Sequence, residues 1–290
     1  MTTFNNRKIE DFYSLVSALQ AFWQKQGCAI INPYFSEVGA GTFHPLTVFK
    51  SIGKEPTKLA YTQGCSRPAD GRYGDNPNRL QYYYQFQVIL NPGPNNVVEL
   101  YLESLKALGI NQKLHDIRFV EDDWESPSLG AFGLGWEVWC DGMEITQFTY
   151  FQQIGGCVPK LAPVEITYGL ERIAMYILGV NSVYDLFWDK DNKTTYGYLA
   201  KDNEKEFSFY NFKYANVDNL FSQFKMAEEE SKILLEQKLI YPSYYMASKA
   251  SHYFNLLDAR GALGVKERAL FIQRIQKLVK QCCELYLQND

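Results

Sequence analysis

Apolar residues along the first two thirds of the chain follow both helical and strand spacing. Between residues 8 and 26 they recur at steps of three and four, which predicts an amphipathic helix that ends at Gly27. Two more helices are predicted over residues 96–108 and 170–178. Apolar runs and period-two alternation predict strands over residues 28–31, 59–63, 81–90, 115–120, 135–140, 143–152 and 164–168. The turn Asp141-Gly142 joins two of these strands and predicts a hairpin.

The last third of the chain changes to helical spacing, which predicts helices over residues 217–237, 244–257 and 265–287. Strands gathered in one part of the chain and helices in another are typical of an α+β fold rather than a parallel doubly wound one. We therefore predict an antiparallel sheet with helices over residues 1–205 and a helical domain over residues 206–290. The charged stretch 188–207 is predicted to be a linker or a surface insert.

Composition narrows the possible functions. The chain has 29 Lys and Arg against 33 Asp and Glu, a net charge of −4, which argues against a broad nucleic-acid-binding face. Aromatic residues make up 16% of the chain, which favours an aromatic core and interface over a stacking pocket. No run approaches the roughly 20 apolar residues of a membrane helix. The N-terminus lacks a signal-like run, and six scattered cysteines predict reduced thiols in the cytoplasm.

Three arginines share a loop rich in turn-forming residues between two predicted strands. Arg67, Arg72 and Arg79 could clamp phosphates, because the guanidinium fork matches phosphate oxygens in pairs. The alternative is a solvated hairpin loop whose arginines pair with Asp70 and Asp75. The residues alone do not decide between these two interpretations.

A second candidate is the strand-to-helix unit that contains Glu165 and Arg172. An arginine in the first turn of a helix suggests an anionic ligand, since the helix dipole there favours anions; the alternative is an ion pair with a carboxylate. Glu144 and Glu165 lie among apolar residues, where an unpaired charge is costly, so a small cationic ligand or Mg²⁺ would explain them. The acidic run 121–123 is more simply a solvated sheet edge.

Three units in chain order resemble the signature motifs of class II aminoacyl-tRNA synthetases: a helix and strand ending in Pro33, a strand–loop–strand with Arg67 and Arg79, and the unit with Arg172. The sequence between them is similar to the alpha subunit of bacterial two-subunit glycyl-tRNA synthetase over nearly the whole chain. The runs that carry the resemblance include Glu37-Val-Gly-Ala-Gly-Thr-Phe-His-Pro45, Asp70-Gly-Arg-Tyr-Gly-Asp-Asn-Pro-Asn-Arg-Leu-Gln81, Asp141-Gly-Met-Glu-Ile-Thr-Gln-Phe-Thr-Tyr-Phe-Gln-Gln153 and Phe254-Asn-Leu-Leu-Asp-Ala-Arg-Gly-Ala262.

The resemblance implies a class II catalytic domain that activates glycine with ATP to glycyl-adenylate and releases pyrophosphate. Transfer of glycine to tRNA(Gly) would then need a beta subunit, in an alpha2-beta2 tetramer. The element that ends in Pro33 would form an alpha–alpha homodimer. ATP with Mg²⁺ would be a substrate, the ligands of the metal are not identified, and no tightly bound cofactor is expected.

The resemblance also assigns roles to residues. Arg67 and Arg172 match the catalytic arginines of motifs 2 and 3, Arg79 faces the outer phosphates, and Tyr84 or Phe86 stacks on adenine. The full expected ATP set is Arg67, Arg72, Arg79, Tyr84, Phe86, Glu171 and Arg172. Glycine needs a cramped pocket that anchors its ammonium group. The expected residues are Thr42, Gln63, Trp124, Glu144, Gln147, Glu165 and Thr167.

The chain departs from the family pattern at one place. Where the family has Gln-Pro-Ser-Arg-Arg-Pro, this chain has Gln63-Gly-Cys-Ser-Arg-Pro68, so Arg67 is kept and Ser66 replaces the first arginine. This replacement is the feature that favours an alternative function, a non-catalytic paralogue that uses the fold as a binding module. An unrelated ATP-dependent ligase is a third hypothesis.

Overall fold

The computed structural model describes residues 8–290, and one seven-stranded sheet forms its centre. The polar N-terminal stretch considered above lies mostly outside the described residues. The strands are β1 (Ala29–Ile30), β2 (Thr57–Ser66), β3 (Tyr82–Asn91), β4 (Ile117–Ser126), β5 (Ala131–Cys140), β6 (Met143–Gln153) and β7 (Val164–Gly169). They lie in the order β1-β2-β3-β7-β6-β5-β4. All neighbours pair antiparallel except β1, which is parallel to β2.

Helices flank this sheet, which agrees with the predicted α+β class. They are α1 (Phe12–Lys25), α2 (Pro45–Ile52), α3 (Val97–Ala107), α4 (Leu170–Leu178), α5 (Tyr196–Phe209), α6 (Val217–Glu236), α7 (Ile240–Ala259) and α8 (Val265–Asn289). The glycine-rich segment gave no prediction for α2. That helix begins at Pro45, and the side chain of His44 caps it by accepting the N–H of Leu46 at 3.1 Å.

The two faces of the central strands differ in character. Phe86, Val88, Ile166 and Tyr168 point to what we call the core face, where they pack with α1, α3 and α4. The indole N–H of Trp23 in α1 donates to the hydroxyl of Tyr168 at 3.2 Å. Because β3 and β7 are in register, Phe86 lies opposite Tyr168 and Val88 lies opposite Ile166.

The opposite side, which we call the polar face, carries Tyr83, Gln85, Gln87, Glu165 and Thr167 on β3 and β7. A second apolar cluster lies on this side, further along the sheet. It joins α2 and the helices α6, α7 and α8 to the ends of β5 and β6. The polar side chains at the centre are therefore flanked by packed helices.

One strand is longer than predicted and one segment is of another kind. The strand predicted over residues 115–120 extends as β4 to Ser126, so the acidic run 121–123 lies on an edge strand of the sheet, as the solvated-edge interpretation predicted. The stretch 188–207 is not a linker, since it forms a short hairpin, β8 (Phe187–Asp189) with β9 (Thr194–Thr195), followed by most of α5. Its charged residues cover the outer face of α5, whereas Tyr196 and Glu204 are buried.

The division into domains 1–205 and 206–290 stays a prediction. Its boundary lies inside α5, and buried residues of α6, α7 and α8, among them Phe224 and Ile275, share one apolar cluster with Leu129 and Phe151 of the sheet region. Within residues 8–290, no helix combines the length and apolarity that crossing a membrane would need.

The fully buried Phe86 allows a test of the core face. Phe86→Ala should lower the free energy of unfolding by about 3–5 kcal/mol, because the cavity left behind cannot fully collapse. Tyr198→Ala, which truncates an aromatic side chain that is 84% exposed, should change it by no more than about 0.5 kcal/mol. Urea unfolding of the two variants measures both values. Equal losses would contradict the assignment of Phe86 to the core.

Candidate functional site

A cavity of about 530 Å³ opens on the polar face of the sheet, where β3, β6 and β7 meet the start of α4. The loop of residues 67–81 between β2 and β3 forms its rim. Of the predicted site residues, the cavity brings together Arg67, Arg79, Glu144, Gln147, Thr167, Glu171 and Arg172. It thus combines guanidinium, carboxylate and amide groups from separate elements.

Arg67 comes directly after β2 and lies over an aromatic ring. Its guanidinium carbon is 5.1 Å from the ring centroid of Tyr83. Arg67 Nε donates to the carbonyl of Gly39 at 2.8 Å, and the Tyr83 hydroxyl donates to the same carbonyl at 3.0 Å. These contacts orient the side chain through Nε and the ring, and the guanidinium has further donors to offer a ligand.

The other two arginines of the loop differ in position. Arg79 lines the cavity and pairs with Asp70, at 3.0 Å from Nε and 2.9 Å from Nη2. Arg72 is outside the cavity lining, because its Nη1 donates back to the carbonyls of Ala69 and Gly71 at 3.2 and 2.6 Å. The structure therefore places Arg72 in the internal bonding of the loop, and its contact with ATP stays a prediction.

Arg172 extends from the first turn of α4 into the cavity. Its Nη1 donates to the carboxylate of Glu144 at 2.7 Å and to the carbonyl of the same residue at 3.0 Å. Both side chains are partly exposed, so this ion pair contributes little to stability. The ion pair, one of the two interpretations of Arg172, is observed. Arg172 also lines the open cavity, and an anionic ligand there stays a prediction.

Glu171, its neighbour in α4, is buried beneath the cavity. Its Oε1 accepts the backbone N–H of Tyr84 at 2.7 Å and the hydroxyl of Tyr196 at 2.8 Å. Burial raises the pKa of its carboxyl to about 7. These bonds join α4 to β3 and α5, so Glu171 supports the floor of the site.

Glu165 is the most deeply buried of the predicted glycine-binding residues, at 1% exposure. Its Oε2 accepts the hydroxyl of Thr42 at 2.8 Å, and its Oε1 accepts the amide N–H of Gln87 at 2.7 Å. Burial raises its pKa to about 8, against the lowering effect of hydrogen bonds from Thr42, Thr167 and Gln87. The buried Oε1 of Gln87 and Oγ1 of Thr149 have no partner among the described residues.

The glycine-rich segment 37–44 lies over this buried carboxyl. Gln85 accepts the N–H of Gly41 at 2.8 Å, and the Tyr61 hydroxyl donates to the Gly41 carbonyl at 2.9 Å. A Cβ at Gly41 would lie 2.2 Å from Cγ of Gln87, so only glycine fits so close to the sheet. The segment thereby brings Thr42 into contact with Glu165.

The remaining expected glycine-binding residues are spread around this centre. Gln147 and Thr167 line the cavity, and Gln147 donates to Asp122 at 3.0 Å. Gln63 is outside the cavity lining, since its side chain bonds both the N–H and the carbonyl of Tyr34, at 2.7 and 3.2 Å. Trp124 is also outside it and packs edge-on against Phe151, 5.8 Å away.

Strand alternation corrects the expected adenine-stacking residues. Tyr84 and Phe86 point to the core face, where Phe86 is fully buried and Tyr84 packs against Phe12 and Trp188. Neither residue lines the cavity with the arginines. Tyr83 and Gln85 do, although the sequence reasoning missed them. The glutamines that alternate with the aromatic residues of β3 are the signal that could have identified this face.

The alternation of side chains along a strand also determines the direction in which Ser66 points. Ser66 borders a second cavity with Tyr82 and Tyr84, across the strand from Arg67. A longer side chain at this position would also point away from the cavity of Arg67 and Arg172. The serine therefore removes no guanidinium from that cavity.

Metal-ligand groups are present at two places. Asp70 and Glu144 supply carboxylate oxygens within the cavity lining, the ligand type that Mg²⁺ prefers. Elsewhere in the part of the chain that the structure describes, His115, Cys140 and Asp141 bring three ligand atoms within 4.8 Å of one another. This group lies at the β5–β6 turn, outside the cavity, and Tyr176 bonds to both His115 and Asp141.

Comparison with known proteins gives a match along nearly the whole chain. The sequence model of the family described as glycyl-tRNA synthetase alpha subunit matches residues 12–290. Similar solved structures include two of pyrrolysyl-tRNA synthetase from Desulfitobacterium hafniense. One is 14% identical with a TM-score of 0.45, over 64% of this chain and 74% of that one. The other is 13% identical with a TM-score of 0.44, over 67% and 79%.

The raised pKa of Glu165 predicts a pH dependence of stability. Between the ordinary value of 4.5 and the folded value of about 8, the folded chain keeps a proton that the unfolded chain has released. The free energy of unfolding should therefore fall as pH rises through this range, by up to about 1.4 kcal/mol per pH unit. Glu165→Gln should make this slope shallower without abolishing it, because Glu171 contributes in the same direction.

Urea unfolding at several pH values between 4.5 and 8 provides the measurement. Glu121→Gln serves as the control, because it removes an exposed carboxylate from edge strand β4 and should keep the wild-type slope. A slope that is the same for both variants would show that Glu165 does not hold the proton.

Proposed function

The chain belongs to the family of glycyl-tRNA synthetase alpha subunits and is an aminoacyl-tRNA ligase with a class II fold, and we propose that it activates glycine with ATP. In this reaction a carboxylate oxygen of glycine attacks the α-phosphorus of ATP, and the bond to pyrophosphate breaks. The products are glycyl-adenylate and pyrophosphate. The observation that carries the proposal is the cavity in which Arg67 and Arg79, from the loop of residues 67–81, converge with Arg172 from α4.

The arginines suit a substrate with several anionic groups. Arg67, held at Nε by Gly39, is positioned to stabilise the charge that develops at the α-phosphate during attack. Arg79 on the rim faces the outer phosphates, and Arg172 holds the nucleotide from α4. Polyphosphate oxygens would replace the carboxylates of Asp70 and Glu144 as partners of the arginines, at small cost because those ion pairs are partly exposed.

The buried carboxyl of Glu165 suits the ammonium group of glycine. Thr167 lines the cavity floor two residues further along β7, on the same face as Glu165. The oxygens of Gln87 and Thr149, which lack described partners, would accept hydrogen bonds from an ammonium group. Segment 37–44 is held over Glu165 by the bonds of Gly41, and we expect it to restrict the site to an amino acid without a side chain.

The proposed reaction forms no covalent bond to the enzyme. It therefore requires two substrates held in line and a charged environment for the transition state. ATP would enter with Mg²⁺ as substrate, and Asp70 and Glu144 are the cavity carboxylates that could contact the metal once their arginines turn to the phosphates.

The family membership supports two further proposals about partners. A beta subunit would join this chain in an alpha2-beta2 tetramer and supply most recognition of tRNA(Gly), in agreement with the net charge of −4. An alpha–alpha homodimer would form around Pro33, which is exposed beside Phe35, a residue that is itself 82% exposed. The six cysteines are free and buried, which fits the reducing cytoplasm as the proposed location.

The alternative function, a non-catalytic paralogue, depended on Ser66. Because Ser66 lies across the strand from the cavity, its presence no longer favours that alternative. Arg67, Arg79 and Arg172 are all in the cavity lining. Catalysis is therefore the better-supported proposal.

Glycine-dependent exchange of pyrophosphate into ATP tests the reaction. The chain should catalyse this exchange with glycine and not with alanine or serine, and should charge tRNA(Gly) only when a beta subunit is supplied. Arg172→Ala should lower the exchange rate by at least about 100-fold, since it removes a charge that faces the transition state. Arg118→Ala removes an exposed arginine on β4 and should keep the rate. Full exchange by the Arg172 variant, or exchange with another amino acid, would refute the proposal.

Proton release on binding tests the role of Glu165. Near pH 7 its carboxyl, with a pKa of about 8, is mostly protonated, and an adjacent ammonium group would lower that pKa. Glycine binding should therefore release close to one proton. Calorimetric titrations in buffers of different ionisation enthalpy measure it. Glu165→Gln should bind without this release and Glu121→Gln should retain it, whereas release from both would exclude Glu165 as the anchor.

A further inference from the structure

The helix α5 contacts the loop of residues 67–81 through a buried carboxylate. Glu204 is 2% exposed. Its Oε1 accepts the backbone N–H of Arg72 at 3.0 Å, and its Oε2 accepts the backbone N–H of Gln81 at 2.9 Å. One side chain thus links the middle of the loop to the residue where the loop enters β3.

Ser208, one turn later in α5, adds a third contact. Its Oγ accepts the N–H of Tyr73 at 3.0 Å and donates to the carbonyl of Glu204 at 2.7 Å. Tyr73 has a φ of +58°, which residues other than glycine rarely adopt, so the loop needs such support. Gly71 lies so close that a Cβ there would be 2.8 Å from this oxygen.

The loop that α5 supports carries two of the three cavity arginines. Arg67 stands at its start, and the N–H of Arg67 donates to the Gln81 carbonyl at 2.7 Å, which closes the base of the loop. Arg79 stands two residues before Gln81, with its guanidinium on Asp70. The peptide at Gln81 is therefore held from both sides, by Arg67 and by Glu204.

We propose that Glu204 is a positioning residue, whose carboxylate holds the loop in the geometry in which Arg67 and Arg79 receive the phosphates of ATP. The part that concerns ATP rests on the proposed function. The expected glycine-binding residues lie on β2, β4, β6, β7 and segment 37–44 rather than on this loop. Loss of the carboxylate should therefore affect ATP much more than glycine.

Glu204→Gln provides the test, because glutamine keeps the shape of the side chain but offers an acceptor oxygen to only one of the two N–H groups. Hydrogen–deuterium exchange of residues 71–81 should become at least about tenfold faster, as expected when one hydrogen bond to a charged group is lost. The KM for ATP in pyrophosphate exchange should rise severalfold while the KM for glycine stays unchanged.

Two more variants complete the experiment. Glu206→Gln removes an exposed carboxylate from the same helix and should match the wild type in every measurement. Ser208→Ala removes the contact with Tyr73 and the bond to the Glu204 carbonyl but leaves the bonds from Arg72 and Gln81 to the Glu204 carboxylate in place. It should shift loop exchange and the KM for ATP in the same direction as Glu204→Gln, but less. It keeps the proposal testable if the Glu204 variant does not fold.

If the loop amides of Glu204→Gln exchange hydrogen at the wild-type rate, the proposal is overturned. It is also overturned if they exchange faster but the KM for ATP is unchanged. If the wild type shows no glycine-dependent pyrophosphate exchange, the proposed function fails. Hydrogen exchange of the loop with and without added ATP then decides separately whether Glu204 orders a nucleotide-binding loop.

Discussion

The period of two along β3 is the constraint on which the rest of the structure depends. The side chains of Phe86 and Val88 are buried in the core against Ile166 and Tyr168. Because side chains alternate along a strand, Tyr83, Gln85 and Gln87 must point to the opposite face. A shift of one residue would bury the glutamines among helices α1, α3 and α4 and remove the aromatic residues from the core. The register that stabilises the core therefore also fixes the positions of the polar side chains.

Burying amide and carboxyl groups on the polar face costs free energy unless they form hydrogen bonds. Segment 37–44 provides several of the partners: the N–H of Gly41 for Gln85, and the Thr42 hydroxyl for Glu165. The same bonds hold an otherwise irregular segment in one conformation. A loop that looks unstructured in sequence is thus ordered by the sheet beneath it, and it covers a carboxyl whose pKa burial has raised to about 8.

The sequence predicts those parts of the fold that depend on local pattern. The helix over residues 170–178 and the hairpin at Asp141-Gly142 follow from spacing and turn residues, and the structure confirms both. The aromatic residues of β3 do not show which side faces the cavity, because they occur on both sides; the glutamines at 85 and 87 are the better signal. The sequence does not predict α5 as a support, because its charged residues suggest a surface insert, and the partners of Glu204 are more than 120 residues away in the chain.

The guanidinium groups and the buried carboxyl occupy different parts of the candidate site. Guanidinium groups lie at the rim and at the start of α4, in partly exposed ion pairs that a polyphosphate could replace at little cost. Glu165 does not itself line the cavity, has no cationic partner among the described residues, and is kept largely protonated near neutral pH by burial. An anion is therefore favoured at the rim, whereas a cation beside Glu165 would first have to displace its proton. In the proposed reaction, an amino acid with its ammonium group at Glu165 would have to present its carboxylate to the α-phosphorus of ATP, as in-line attack requires.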